Sequence, residues 1–199
     1  MRKYGCFLLP GLPLLLAASA APAHPTTLTP LVDGDCSEYS QLPAQQIDAG
    51  SGVVLHLYQD EHYVWLCYTY PPGSAGQLDM KLKTEKLPDP LNLHVSAKLG
   101  EWPVNREDLQ PKFPESDLWW NQKDWIGTTS MLRSMDMSGP KPVSRLKHPP
   151  GRELQIAKKR FGHGEWQFAL TIYQVRSQDG KLLDLQFPTD GSYYTLKTN

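Results

Sequence analysis

Residues 53–70 constrain the fold more than any other stretch of the chain. Val53, Leu55 and Leu57 alternate with Val54, His56 and Tyr58, the period of two that puts apolar side chains on one face of a strand. Gln59-Asp60-Glu61-His62 is a polar turn, and Tyr63-Val64-Trp65-Leu66-Cys67-Tyr68-Thr69-Tyr70 follows, β-branched and aromatic throughout. Two such runs around a short polar loop predict a hairpin, stopped by Pro71-Pro72-Gly73. The alternation recurs at 78–84 through Leu78, Met80 and Leu82, and at 91–99 through Leu91, Leu93, Val95, Ala97 and Leu99. It returns at 153–157 and at 165–175, where Trp166, Phe168, Leu170 and Ile172 alternate, and 192–196 closes the chain. The 18 prolines and 15 glycines among 199 residues argue against a helical bundle or coiled coil. The expectation is an all-β fold, an antiparallel β-sandwich in one domain. Trp65 and Trp166 are expected in its core, and Tyr63, Tyr68 and Tyr70 to pair across strands.

Residues 1–23 read as a signal peptide rather than as fold. Arg2 and Lys3 precede an apolar run, interrupted by Pro10 and Pro13, and then come Ala18-Ser19-Ala20 and Ala21-Pro22-Ala23, both suited to cleavage. The run is too short and too broken for a membrane helix, and no later segment is long and apolar enough to be one. The domain is then 24–199, exported to the periplasm or the medium. Removing Arg2, Lys3 and Cys6 moves the net charge from −1 to −3 and leaves Cys36 and Cys67. In an oxidising compartment such a pair is expected to form a disulfide. A pI of 6.6 gives no reason to expect nucleic-acid binding.

Several short motifs then point the same way. Asp33-Gly34 comes before Glu38-Tyr39; a Tyr58-Gln59-Asp60 turn leads into Tyr63-Val64; Leu78-Asp79-Met80-Lys81-Leu82 follows. Late in the chain come Glu153-Leu154-Gln155-Ile156 and Gly164-Glu165-Trp166-Gln167-Phe168. Together, over roughly residues 31–175, they resemble carbohydrate-binding module family 9 and related DOMON-like sandwiches. The resemblance implies a β-sandwich that binds a polysaccharide or oligosaccharide without catalysis. Pro71-Pro72 and the cysteine pair depart from the family pattern. Some members carry a structural calcium, for which Asp33, Asp35 and Asp60 are the candidates here. Others hold haem between a Met and a His. Met80, Met131, Met135 and Met137, with His56, His94, His148 and His163, are the raw material for that alternative, although no Cys-x-x-Cys-His attachment is present. No resident metal or cofactor is expected.

Residues 101–127 do not alternate. They hold Trp102, Trp119, Trp120 and Trp125, four of the six tryptophans, with Pro103, Pro111 and Pro114 between them. Long connections of this kind are usually functional. Flat indoles stack on the C–H faces of sugars while amides and carboxylates bond the hydroxyls, so these four with Glu101, Asn121 and Asp124 are the candidate glycan contacts. The competing reading is that the tryptophans pin the loop onto the sandwich; adjacent Trp119 and Trp120 would point to opposite sides if extended. An envelope structural or protein-interaction domain without a small ligand is the corresponding alternative. Catalytic signatures fail. Ser138-Gly139-Pro140-Lys141 contains helix breakers, Ser144-Arg145-Leu146-Lys147 lacks companion motifs, and His163-Gly164-Glu165 lacks a downstream Pro-Cys-x-x-Cys. No enzyme is expected. Residues 133–160 carry eight Lys and Arg against Asp136 and Glu153, read as solvated faces, with a negatively charged partner as the alternative.

Overall fold

The computed structural model describes residues 28–129, 132–147 and 149–199. The residues read as a signal peptide lie outside that set. The strands are β1 (Gln45–Gly50), β2 (Val53–Gln59), β3 (Tyr63–Thr69), β4 (Gln77–Thr84), β5 (Leu91–Val95), β6 (Leu99–Pro103), β7 (Trp125–Gly127), β8 (Leu132–Asp136), β9 (Val143–Lys147), β10 (Gly151–Ala157), β11 (Gly164–Arg176), β12 (Leu182–Phe187) and β13 (Tyr194–Thr198). Sheet one runs β1-β2-β3-β10-β7. Sheet two runs β12-β11-β4-β5-β6, with β13 also on β11, and β8-β9 form a separate ribbon. Every pairing is antiparallel. The expected all-β sandwich is what the chain builds.

The alternation read from the sequence decides which side chains meet. Val53, Leu55, Leu57, Val64, Leu66, Tyr68, Leu154 and Ile156 of sheet one share a core with Leu78, Met80, Leu82, Leu93, Val95, Trp166, Phe168, Leu170 and Ile172 of sheet two. Each such large apolar side chain contributes about 1.5–3 kcal/mol by leaving water. The first hairpin turns where expected, because Asp60 Oδ1 accepts from both His62 N and Tyr63 N at 2.7 Å. β11 serves both ends of sheet two's edge, pairing β13 through Gly164–Phe168 and β12 through Leu170–Arg176, with a bulge near Gln174 at φ 54°.

Three expectations need correcting. The run at 91–99 is two strands, since Ser96–Lys98 turns the chain; Ser96 N donates to Lys98 O at 2.9 Å, and the hydroxyl of Ser96 also bonds this turn. The non-alternating stretch 101–127 contributes edge strands to both sheets, β6 and β7, each too short to show a period. The basic stretch is not simply solvated. Arg152 is 3% exposed and donates to Ser96 O, Thr128 O and Ala75 O, while Lys158 is 1% exposed.

Trp65 is buried, but on the far side of sheet one, in a second cluster with Cys36, Tyr39 and Cys67. Here a 3-10 turn, Cys36–Gln41, lies on the sheet, capped by Asp35 Oδ1, which accepts from Ser37 N at 3.0 Å. The disulfide Cys36–Cys67 ties it down. Close approach depends on glycines: a Cβ on Gly34, at φ +84°, would stand 2.7 Å from Gly151 O, and one on Gly151 3.0 Å from Cys36 Sγ.

Candidate functional site: an aromatic strap at the sandwich edge

From the end of β6, residues 104–124 cross to β7 as a strap, and Glu101 anchors it. Its carboxylate accepts from Arg160 Nη2 at 2.7 Å and Nη1 at 2.8 Å, from Trp125 Nε1 at 2.6 Å and from Lys123 N at 3.3 Å. Arg160 also donates to Lys123 O. Glu101 N donates to Asn121 Oδ1 at 2.8 Å, and Asn121 Nδ2 donates to Glu101 O at 2.7 Å. The asparagine side chain thus occupies backbone groups that the edge strand β6 would leave unpaired. The two sheets' edges are joined here, because β6 and β7 are terminal strands of different sheets.

The tryptophans divide. Trp102 and Trp125 are buried, at 7% and 6% exposure. Trp119 is half-buried: its Nε1 donates to Phe113 O at 2.9 Å, and its ring centroid lies 5.2 Å from that of His94. Trp102 flanks His94 at 5.9 Å. Trp120 is 53% exposed. Its backbone sits at φ 63° with its N–H donating to Leu99 O at 2.8 Å. A bulky residue in the left-handed region costs about 1–2 kcal/mol. Phe113, 69% exposed, is the strap's other open aromatic.

Beneath Trp119 the outer face of sheet two carries a network that sequence reasoning missed. Asp79 Oδ1 is 2.7 Å from His94 Nδ1 and accepts from Asn92 Nδ2 at 2.9 Å, while Oδ2 accepts from Tyr173 Oη at 2.7 Å. Burial pushes the Asp79 carboxyl up, but the bonds and charge of His94, with Asn92 and Tyr173, outweigh it and hold the group below its usual value. Burial, with Asp79 as acceptor, pushes the Tyr173 hydroxyl up. Asp79, Asn92 and His94 all occupy polar positions of alternating strands, so the signal lay in strand registers, β4 to β5, that one sequence does not reveal.

Asp124, the last predicted contact, is exposed at φ 58°. It lines an open cleft of about 540 Å³ with Glu61, His62, Tyr63, Lys159 and His163. Lys158 borders the same cleft, donating to Gln59 Oε1 at 2.9 Å, Asp60 O at 2.6 Å and Asn199 O at 3.2 Å; burial pushes its ammonium down, with Asp60 opposing. Of the seven candidate contacts, then, Trp120 presents an open ring and Asp124 faces a cleft. Trp119 is partly covered, Trp102 is buried beside His94 on the outer face of sheet two, Trp125 joins the core, and Glu101 and Asn121 are spent on the strap.

The cation candidates also regroup. Asp33 joins Glu38 and Glu153, whose carboxylates lie within 4.8 Å of one another, whereas Asp35 caps the 3-10 turn and Asp60 holds the hairpin. Glu153 is fully buried and accepts from Tyr39 Oη and from Asp33 N. Burial pushes its pKa up to about 7; Glu38 adds to this, and the Tyr39 bond and the Gly34 and Asp33 amides oppose it. For haem, Met80 points into the core while His94 bonds Asp79 on the other face of sheet two, so these two do not form an axial pair. Met131 and His148 lie outside the described residues. Comparison with family models, curated proteins and solved structures returns no match for this chain, and the functional reading rests on its own geometry.

Proposed function

We propose that this is an exported, non-catalytic binding domain that takes a glycan on the open indole of Trp120. One observation carries the reading: an aromatic side chain 53% exposed on a backbone held at φ 63°. Strained residues concentrate at ligand sites, because a fold that did not use them would relax them. The strap that fixes Trp120 is braced by Glu101, Arg160 and Asn121, so the ring is offered to a sugar face with little entropy left to lose. The leader-like segment 1–23 and the disulfide support export. The burial of Trp102 and Trp125 favours the second reading, an interaction domain without a small ligand. Titration against a glycan panel by tryptophan fluorescence separates the two. Wild type is expected to respond to at least one glycan, and Trp120→Ala to lose at least tenfold in affinity, about 1.4 kcal/mol, with its melting transition unchanged. Silence across the panel, or equal binding by the variant, rejects the reading.

A further inference from the structure

The ribbon β8–β9 belongs to neither sheet; among the described residues its strands pair with each other. A lone two-stranded ribbon is marginal in water, so one that is apolar outside needs a reason. Met135 is 58% exposed, Met137 69% and Val143 52%. The rungs Met135↔Ser144 and Asp136↔Val143 are adjacent, which places Met135 and Val143 on opposite faces. The tip, residues 137–142, contains Pro140 and Pro142, which have no N–H to desolvate. Asp136 Oδ1 accepts from Ser138 N at 3.0 Å and Ser138 Oγ at 2.6 Å, so part of the tip's polar complement is tied back. Across residues 132–147 the sequence sets Arg133, Lys141, Arg145 and Lys147 against Asp136.

We propose that this arm docks its tip into the interfacial region of an anionic lipid bilayer. A protein groove accepts one face of a ribbon, whereas an end that exposes an apolar side chain on each face, Met135 on one and Val143 on the other, suits a medium that surrounds it. The excess of positive charge matches acidic headgroups, and long basic side chains reach phosphates while apolar neighbours enter the acyl boundary. The arm only touches the membrane; no helix among the described residues is long and apolar enough to cross one.

The test is co-sedimentation of the intact protein with phosphatidylcholine vesicles, with and without about one-third phosphatidylglycerol. Binding is expected to the anionic vesicles and to weaken at high salt. Lys141→Gln is expected to weaken it about fivefold, the effect of one basic residue near such a surface. Met135→Ser with Met137→Ser is expected to weaken it at least tenfold, with the disulfide and melting transition retained. Wild type that ignores anionic vesicles overturns the proposal, as does a methionine variant that binds equally well. Capture by soluble dextran sulfate without vesicle binding also overturns it, reassigning the arm to an acidic polymer. Trp120→Ala should bind vesicles like wild type, so failure of the glycan reading and failure of this one are distinguishable.

Discussion

Glu101 is the residue on which the strap depends. Its side chain is 11% exposed and that of its partner Arg160 20%, so the pair works in a low-dielectric edge where a bidentate geometry counts. Removing Glu101 leaves Arg160 part-buried without its carboxylate, with Lys123 O as its remaining acceptor, and it also strips Trp125 Nε1 of its acceptor. Glu101→Ala is therefore expected to destabilise the protein by about 3 kcal/mol, the lower end for a broken buried pair. Urea denaturation measures the loss. A red-shifted tryptophan emission in the native baseline would show that the strap has lifted while the sandwich persists. An unchanged midpoint would mean that Asn121 and the strap's backbone bonds suffice alone.

The turn Cys36–Gln41 is held by two different devices, and one of them titrates. Tyr39 reaches from it to Glu153, across a row in which His56, Cys67 and Glu153 stand side by side on β2, β3 and β10. Glu153 goes from an ordinary 4.5 to about 7 on folding, so the folded state holds the proton more tightly. The contribution is complete below about pH 4.5 and is lost as pH rises through about 7, a swing of about 3 kcal/mol. Stability measured between pH 5 and 8 should fall with pH in wild type and lose most of that slope in Glu153→Gln, which should be the more stable at pH 8. Burial pushes the His56 imidazole down, which opposes this slope, so the difference between the two proteins is the measure: profiles that run parallel sink the assignment. The sequence showed a turn capped by Asp35 as little as it showed this pair, because Tyr39 and Glu153 are separated by more than a hundred residues and meet only through strand pairing. By contrast β2, β4 and β11 were legible because each is long enough to express its period with one face buried, and β3, buried on both faces, because its run is β-branched and aromatic throughout. β6 and β7 were not: strands of five and three residues carry no readable period, and their tryptophans looked like a ligand platform. Only the folded edge shows that Trp125 serves Glu101 while Trp120 is left open.

The molecule is a sandwich with additions on opposite sides: the disulfide-tied layer outside sheet one, and the strap with the Asp79 network outside sheet two. The charge asymmetry is distributed accordingly, with Arg152, Lys158 and Arg160 spent on internal carbonyls and carboxylates and the remaining excess carried by the arm and Lys159. The main core and the Cys36–Tyr39–Trp65–Cys67 cluster lie on different faces of sheet one, so their stabilities need not be one quantity. The disulfide closes a separation of 31 residues, for which the chain-entropy account gives about 3–4 kcal/mol. Replacing both cysteines by alanine should lower global stability by about that amount. It should also raise amide exchange locally at residues 31–42 before β11 loses protection, because the replaced bond holds the outer layer rather than the core. Hydrogen exchange read by mass spectrometry distinguishes the cases. If β11 and the outer layer lose protection together, the two clusters unfold as one unit, and the disulfide acts through the whole sandwich rather than through the layer it fastens.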